Sequence, residues 1–463
     1  MAIVTRLSWF SYLILFSSRW YLFGCLLTLP FAACRTTEPV AASLPPGPAK
    51  LTLEDIKQQV TQSVVFKQNF TGFALYDLAE NKLLIEHNAD KYFIPASNTK
   101  IFTFYAGLKI LGDSLPALRY TSQHDSLVFW GTGDPTFLHP DQKNDRVWQF
   151  LRTRKEKLFF SAANFATEPW GPGWSWDDYN YYYAAERSPL PVYGNVVRFA
   201  GKPNVPTVRV QPRYFAQQWM SSKESNLAGD IVVREAAQNR FKVFPGYIKE
   251  DFAEDVPFKQ SPELLVKLLT DTLHRPVKLL PRRLPKTART LYSLPADSLY
   301  QRMMQESDNT FAEHLLLLCA ATVFDSLNTE LIIDHVKKTY LADLPDPPVW
   351  VDGSGLSRFN LFTPRTLVAL WQKIYQEVPR DRLFALLAAG GKTGTLKNMY
   401  KTEKPFVFGK SGYLSNNLNQ SGYLVTQSGR TYIFAFMNNN FTQPTASMRQ
   451  EMARIITQIH LNF

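Results

Sequence analysis

The sequence predicts a mixed α/β (α+β) fold with a long, mostly β stretch set inside it. Three observations carry that reading. Residues 51–115 alternate helical and strand-like patterns. Residues 116–285 are rich in aromatics, Pro and Gly and show only short strand-like runs. Residues 286–463 return to helices and close with two strong strands and an amphipathic helix.

Taken in order, Leu53 to Val65 has a helical pattern, and Thr71–Leu78 and Lys82–His87 read as strands joined at Glu80-Asn81. Pro95 starts a helix from Ala96 to Leu111. Further helices are expected at Ser293–Met304, Phe311–Phe324 and Thr363–Glu377. Ser421–Val425 and Thr431–Met437 read as a hairpin linked by Gln427-Ser428-Gly429-Arg430. Pro444 introduces a last helix, Thr445–Leu461.

The 463 residues are 45% hydrophobic and 20% charged, which excludes a disordered, collagenous or coiled-coil chain. A chain this long buries a core without staples, and only three cysteines exclude a disulfide-rich scaffold. The net charge of +11 comes without a long Lys/Arg run. Its densest stretch, Lys278–Arg289, is interrupted by prolines and reads as a solvated linker, so no nucleic-acid partner is expected. The seven histidines show no metal-ligand spacing, and neither metal nor cofactor is expected.

Residues 1–33 hold no acidic residue, and Trp20 to Ala33 is an apolar run of signal-peptide length, short for a membrane span. Cys34 follows Phe31-Ala32-Ala33, which resembles a bacterial lipobox with Phe in the usual Leu position. Cys34 is therefore the expected lipidation site, and residues 34–50 the tether of an exported, periplasmic, membrane-anchored lipoprotein. Ordinary signal cleavage, or an uncleaved anchor over residues 8–33, are the alternatives.

The candidate chemistry sits at three separated points. Ser97 and Lys100 lie three apart at the expected start of a helix, so the amine can reach the hydroxyl. The helix N-terminus favours an oxyanion there and disfavours a protonated lysine. A serine needs such a neighbour to take its proton. Ser307-Asp308-Asn309 falls between two helices, where Ser307 can relay a proton and Asn309 can hold an amide. Lys410-Ser411-Gly412 follows a strand-like run; a Lys and a hydroxyl on a strand edge can bind a carboxylate, and Gly412 leaves room beside the strand. Lys392-Thr393-Gly394 is a rival, but its context is a helix C-terminus and a loop. Alone, the first also fits a helix N-cap with a solvent-facing lysine, and the second a polar interhelical turn with a capping residue.

Together, in this order, they form the Ser-Lys, Ser-Asn, Lys-Gly set of the penicillin-recognising serine enzymes. The long separation of Ser97 from Ser307 implies a large insert. The chain resembles the D-alanyl-D-alanine carboxypeptidase/endopeptidase family, the low-molecular-mass class C penicillin-binding proteins, over most of residues 55–440. Gly131-Thr132-Gly133-Asp134-Pro135, Gly394-Thr395-Leu396 and above all Asp352-Gly353-Ser354-Gly355-Leu356-Ser357-Arg358 match its segments.

The resemblance implies a penicillin-binding transpeptidase/β-lactamase-like domain, an antiparallel sheet with helices on both faces. It would be formed by residues 51–115 and 286–463 and split by residues 116–285 as two small β domains. It also implies roles. Ser97 is the acylated nucleophile and Lys100 the base. Ser307 and Lys410 pass the proton to the leaving amine, and Asn309 contacts the substrate amide. Lys410 and Ser411 hold the terminal carboxylate, and the N–H groups of Ser97 and Tyr413 form the oxyanion hole. Tyr413 stands where the family usually has Thr, whose hydroxyl helps bind that carboxylate. The implied substrate is a peptidoglycan stem peptide, with β-lactams as covalent inhibitors. A β-lactamase-type hydrolase and a catalytically weak wall-binding protein are the alternatives. A P-loop NTPase through Gly391-Lys392-Thr393 would need Gly at 386, which is Leu. The segment Trp170–Tyr193 carries three Trp and five Tyr, which suits sugar stacking or, more simply, packing of the insert.

Overall fold

Two runs, Phe73–Tyr76 and Tyr432–Met437, are apolar at every position, a pattern that fits strands covered on both faces. The computed structural model describes residues 50–205, 207–226 and 228–463, and there these runs form the centre of a six-stranded antiparallel sheet. The expected signal peptide, Cys34 and the tether up to residue 49 lie outside the described residues. Across the sheet the strands run Ala388–Ala389, Val407–Leu414, Asn417–Val425, Thr431–Asn439, Phe70–Asp77 and Lys82–His87.

Alternation decides which residue faces which layer. Tyr432, Phe434 and Phe436 join Phe73 and Leu75 against the first helix, Leu53–Thr61, and the last, Thr445–Asn462. Ile433, Ala435 and Met437 join Ala74 and Tyr423 against the other layer. That layer contains Lys100–Ile110, Ala296–Gln305, Asn309–Phe324 and Pro364–Glu377. Asn309–Phe324 is apolar nearly all round and is buried along most of its length, so it forms the centre of the layer.

A separate core is drawn from residues 117–277 and includes Phe129, Phe160, Phe199 and Phe258. One sheet there has five strands in the order Val277–Leu279, Lys157–Ser161, Ser126–Gly131, Ser114–Gln123 and Arg289–Pro295. Two three-stranded sheets lie between residues 196 and 257.

The helix expected to include Ser293 begins only at Ala296, because Arg289–Pro295 pairs antiparallel with Ser114–Gln123. The first helix ends at Thr61 rather than Val65. The helix C-terminus expected before Lys392, over Leu383–Ala389, ends early, and Ala388 and Ala389 instead form the short edge strand. Cross-strand pairing overrides local periodicity at both places where strand replaced helix.

Candidate active site

Pro95 and Ala96 lead into one 3₁₀ turn, Ala96–Thr99, and the α-helix follows from Lys100. Ala96 sits at φ 49°, a left-handed conformation costly for a side chain with a Cβ. Gly355 packs directly against this turn: a Cβ there would fall 1.9 Å from the Ala96 carbonyl oxygen, and its own φ is 84°. The Asp352–Arg358 loop therefore holds the serine turn in place. Asn98 is anchored from behind, accepting from Ser421 Oγ at 2.6 Å.

The Lys100 side chain is fully buried. Its Nζ lies 3.0 Å from Ser97 Oγ, 2.6 Å from Asn309 Oδ1 and 2.7 Å from the Ser354 carbonyl. Burial lowers its pKa to about 8, against the opposing pull of Asp352, Glu313 and Asp308. A neutral amine keeps two hydrogens and a lone pair. Asn309 and Ser354 take the two hydrogens, and the lone pair is left for the Ser97 proton.

Ser307 lies between the helices Ala296–Gln305 and Asn309–Phe324 at φ 62°. Lys410 Nζ donates to Ser307 Oγ at 2.8 Å and to the Ser411 carbonyl at 2.8 Å. Burial, with Lys100 nearby, holds the Lys410 pKa well below the usual lysine value. Asn309 has its carboxamide spanned: Oδ1 accepts from Lys100, and Nδ2 donates to the Tyr183 carbonyl at 2.9 Å.

The strand Val407–Leu414 is paired on its outer side only at Phe408 and Gly409. Beyond them the serine turn approaches that strand at Gly412, where a Cβ would lie 2.6 Å from Pro95 O and 3.0 Å from Ser97 N. The space left by Gly412 is therefore taken by the nucleophile turn, not by open room for substrate. Lys410 also departs from the carboxylate-binding expectation, since its ammonium points inward to Ser307, its expected partner in proton relay, and is fully buried. Ser411 Oγ donates to Thr395 Oγ1 at 2.7 Å, and Tyr413 is 52% exposed. Lys392 and Thr393 are exposed.

A cleft of about 360 Å³ joins Ser97, Ser307, Ser411 and Tyr413. It is also lined by Thr395, Asn419 and Arg449, to which the motif reading gave no role. Thr395 had a signal, since its Gly-Thr-Leu segment stands out in the sequence. Arg449 had none, being one of two arginines on an amphipathic helix.

The aromatic segment braces this centre from the other core. Trp174 Nε1 donates to Asp352 at 2.9 Å, and Arg187 donates to Glu313 Oε2 through Nε at 2.9 Å and Nη2 at 2.6 Å. Glu313 Oε1 accepts the Ser354 N–H at 2.7 Å, so the pair supports the residue whose carbonyl binds Lys100. Burial works to raise the Glu313 carboxyl; Arg187 and the Ser354 N–H hold it below the ordinary value. Most of this segment packs, while Trp176 and Tyr182 stay exposed. Among the described residues no His, Cys, Asp and Glu cluster is placed to hold a metal, and Cys319 is free and buried.

An antiparallel sheet between helix layers is the fold this chain shares with a solved penicillin-binding protein. The model of the D-Ala-D-Ala carboxypeptidase 3 (S13) family matches residues 52–459, and the chain belongs to that family, a family of serine peptidases. It is similar to D-alanyl-D-alanine carboxypeptidase DacB of Haemophilus influenzae, at 22% identity over 90% of this chain and 94% of the relative. A D-alanyl-D-alanine carboxypeptidase of Actinomadura sp. strain R39 is 27% identical over 36% of this chain and 34% of its own. The crystal structure of penicillin binding protein 4 from H. influenzae superposes with a TM-score of 0.70 at 19% identity. That match covers 89% of this chain and 99% of the other.

Proposed function

We propose that the chain is a periplasmic serine D,D-peptidase that cleaves peptidoglycan stem peptides through an acyl-enzyme on Ser97. The single observation that carries this reading is the Lys100 amine, buried and bonded to Asn309 and Ser354, with its third contact on Ser97 Oγ. The Ser97 proton passes to Lys100 as Oγ attacks the carbonyl carbon of the penultimate D-Ala. The N–H groups of Ser97 and Tyr413 receive the oxyanion. Lys100, now charged, repels the proton on Lys410, and Ser307 Oγ bridges that proton to the leaving amine. Water then releases the acyl group.

β-Lactams would acylate the same serine. Asn309 orients Lys100 and keeps one N–H for the substrate amide. The activity covers carboxypeptidase and endopeptidase cleavage, which share one acyl-enzyme. The catalytic domain, expected at residues 51–115 and 286–463, is bounded more closely by 51–113 and 296–463, because the strands Ser114–Gln123 and Arg289–Pro295 pair within the sheet of the insert expected at 116–285; Cys34 carries the lipid anchor.

The test is incubation with a fluorescent penicillin, followed by peptide mass spectrometry. A stable adduct on Ser97, absent from Ser97→Ala, is expected. Unchanged peptidoglycan hydrolysis by Ser97→Ala would place the chemistry elsewhere.

A further inference from the structure

The expected carboxylate site is short of charge. Lys410 is buried, its ammonium is bonded to Ser307 Oγ and the Ser411 carbonyl, and it does not line the cleft. Its proton affinity is lowered by burial and by Lys100, so it is a poor fixed cation. The threonine hydroxyl that the family resemblance leads one to expect after the motif is replaced by Tyr413. Ser411 and Thr395 contribute hydroxyls, already bonded to each other, and neither brings charge.

One cationic side chain lines the cleft, Arg449, and no acidic one does among the described residues. It stands in the second turn of the last helix, Thr445–Asn462. Met448, Met452 and Ile455 of that helix are buried against the sheet, so their packing fixes where Arg449 emerges. Its guanidinium lies 5.9 Å from the centre of the Tyr413 ring, at the outer limit of a cation–π contact. Arg449 makes no ion pair with an acidic side chain among the described residues. An exposed, unpaired guanidinium lining the same cleft as two hydroxyls suits a carboxylate, whose two oxygens match its planar fork.

We infer that Arg449, backed by Tyr413, binds the carboxylate on the carbon bearing the leaving amine, and so takes over the role expected of the motif lysine and the missing threonine. The inference rests on the proposed Ser97 chemistry and deepens it. It makes Arg449 a specificity-determining residue. It also means that Tyr413 reshapes carboxylate recognition without abolishing it.

The test compares an N-acylated D-alanyl thioester of thioglycolate with the methyl ester of the same compound. The first presents a carboxylate on the leaving group and the second does not. Thiol release gives kcat/KM for each, and the ratio is the readout. The wild type should prefer the carboxylate. Arg449→Gln should lower that ratio by about 10- to 100-fold, the loss expected for a charge-assisted pair. Arg449→Lys should restore part of it, which a purely structural role would not require. The methyl ester serves as the internal check on folding. An unchanged ratio in Arg449→Gln, or an equal fall for both substrates, would overturn the inference. Turnover of both thioesters by Ser97→Ala at the wild-type rate would instead overturn the Ser97 chemistry, and this inference with it.

Discussion

Replacing Arg187 with Met tests how the second core supports the catalytic lysine. Arg187 and Glu313 are each only 2% exposed, joined by two hydrogen bonds, and the guanidinium also lies 5.1 Å from the Trp174 ring centre. Removing one partner of such a pair leaves a buried, uncompensated charge, which costs about 3–5 kcal/mol. Here that charge would lie near a second buried carboxyl, Asp352, whose pKa burial and Glu313 already raise. Glu313 also holds the Ser354 N–H, and the Ser354 carbonyl holds Lys100, so the loss should reach the active site. A misplacement of the base by roughly 1 Å would lower penicillin acylation by about 100-fold.

Chemical denaturation and acylation rates measure the two effects. Without Arg187 the folded-state pKa of Glu313 rises above its unfolded value. A raised acid favours the folded state at low pH, so the deficit of Arg187→Met should be largest near pH 8 and shrink toward pH 5. Adding Glu313→Gln removes the stranded charge and keeps an acceptor for Ser354, so the double variant should recover most of the stability. A deficit below about 1 kcal/mol, or a double variant no more stable than Arg187→Met, would refute the argument.

Acylation should also depend on pH through Lys100, whose amine must be neutral to accept the Ser97 proton. With a pKa of about 8, kcat/KM should rise tenfold per pH unit below that value and level off above it. A flat profile from pH 6 to 9 would exclude Lys100 as the base. A third expectation concerns acid stability. His314 is buried with its pKa lowered to about 4 by burial, Nδ1 facing the Thr310 carbonyl and Nε2 accepting the Ser188 N–H. Its folded pKa lies below its unfolded value, so its contribution is full above about pH 6.5 and is lost as pH falls to about 4. Denaturation at pH 7 and 4.5 should show wild type losing more stability than His314→Gln; equal losses would refute the assignment.

Much of the site was legible before any coordinates. Ser97 and Lys100 are three apart at a helix start, so backbone geometry alone brings them together. Ser307 falls in an interhelical turn and Lys410 in a strand beside a hairpin, both marked by local pattern and by the order of the motifs. What local pattern could not supply was partnership across the chain. Asn309 and Ser354 meet Lys100 from 209 and 254 residues away. That Gly412 yields its space to the serine turn, and that Lys410 points inward, follow from how one strand edge packs.

The sequence by itself determined the periodicity of the central strands, the helix start that places Ser97 beside Lys100 and the choice of family. These depend on neighbours within a few residues or on motif identity. Only the tertiary structure decided that residues 289–295 pair as a strand, that Arg187 neutralises Glu313, and that Arg449 supplies charge to the cleft. Each of these depends on which surfaces are removed from water together. Burial sets the strength of a charge and the partner it needs, and no run of adjacent residues encodes that.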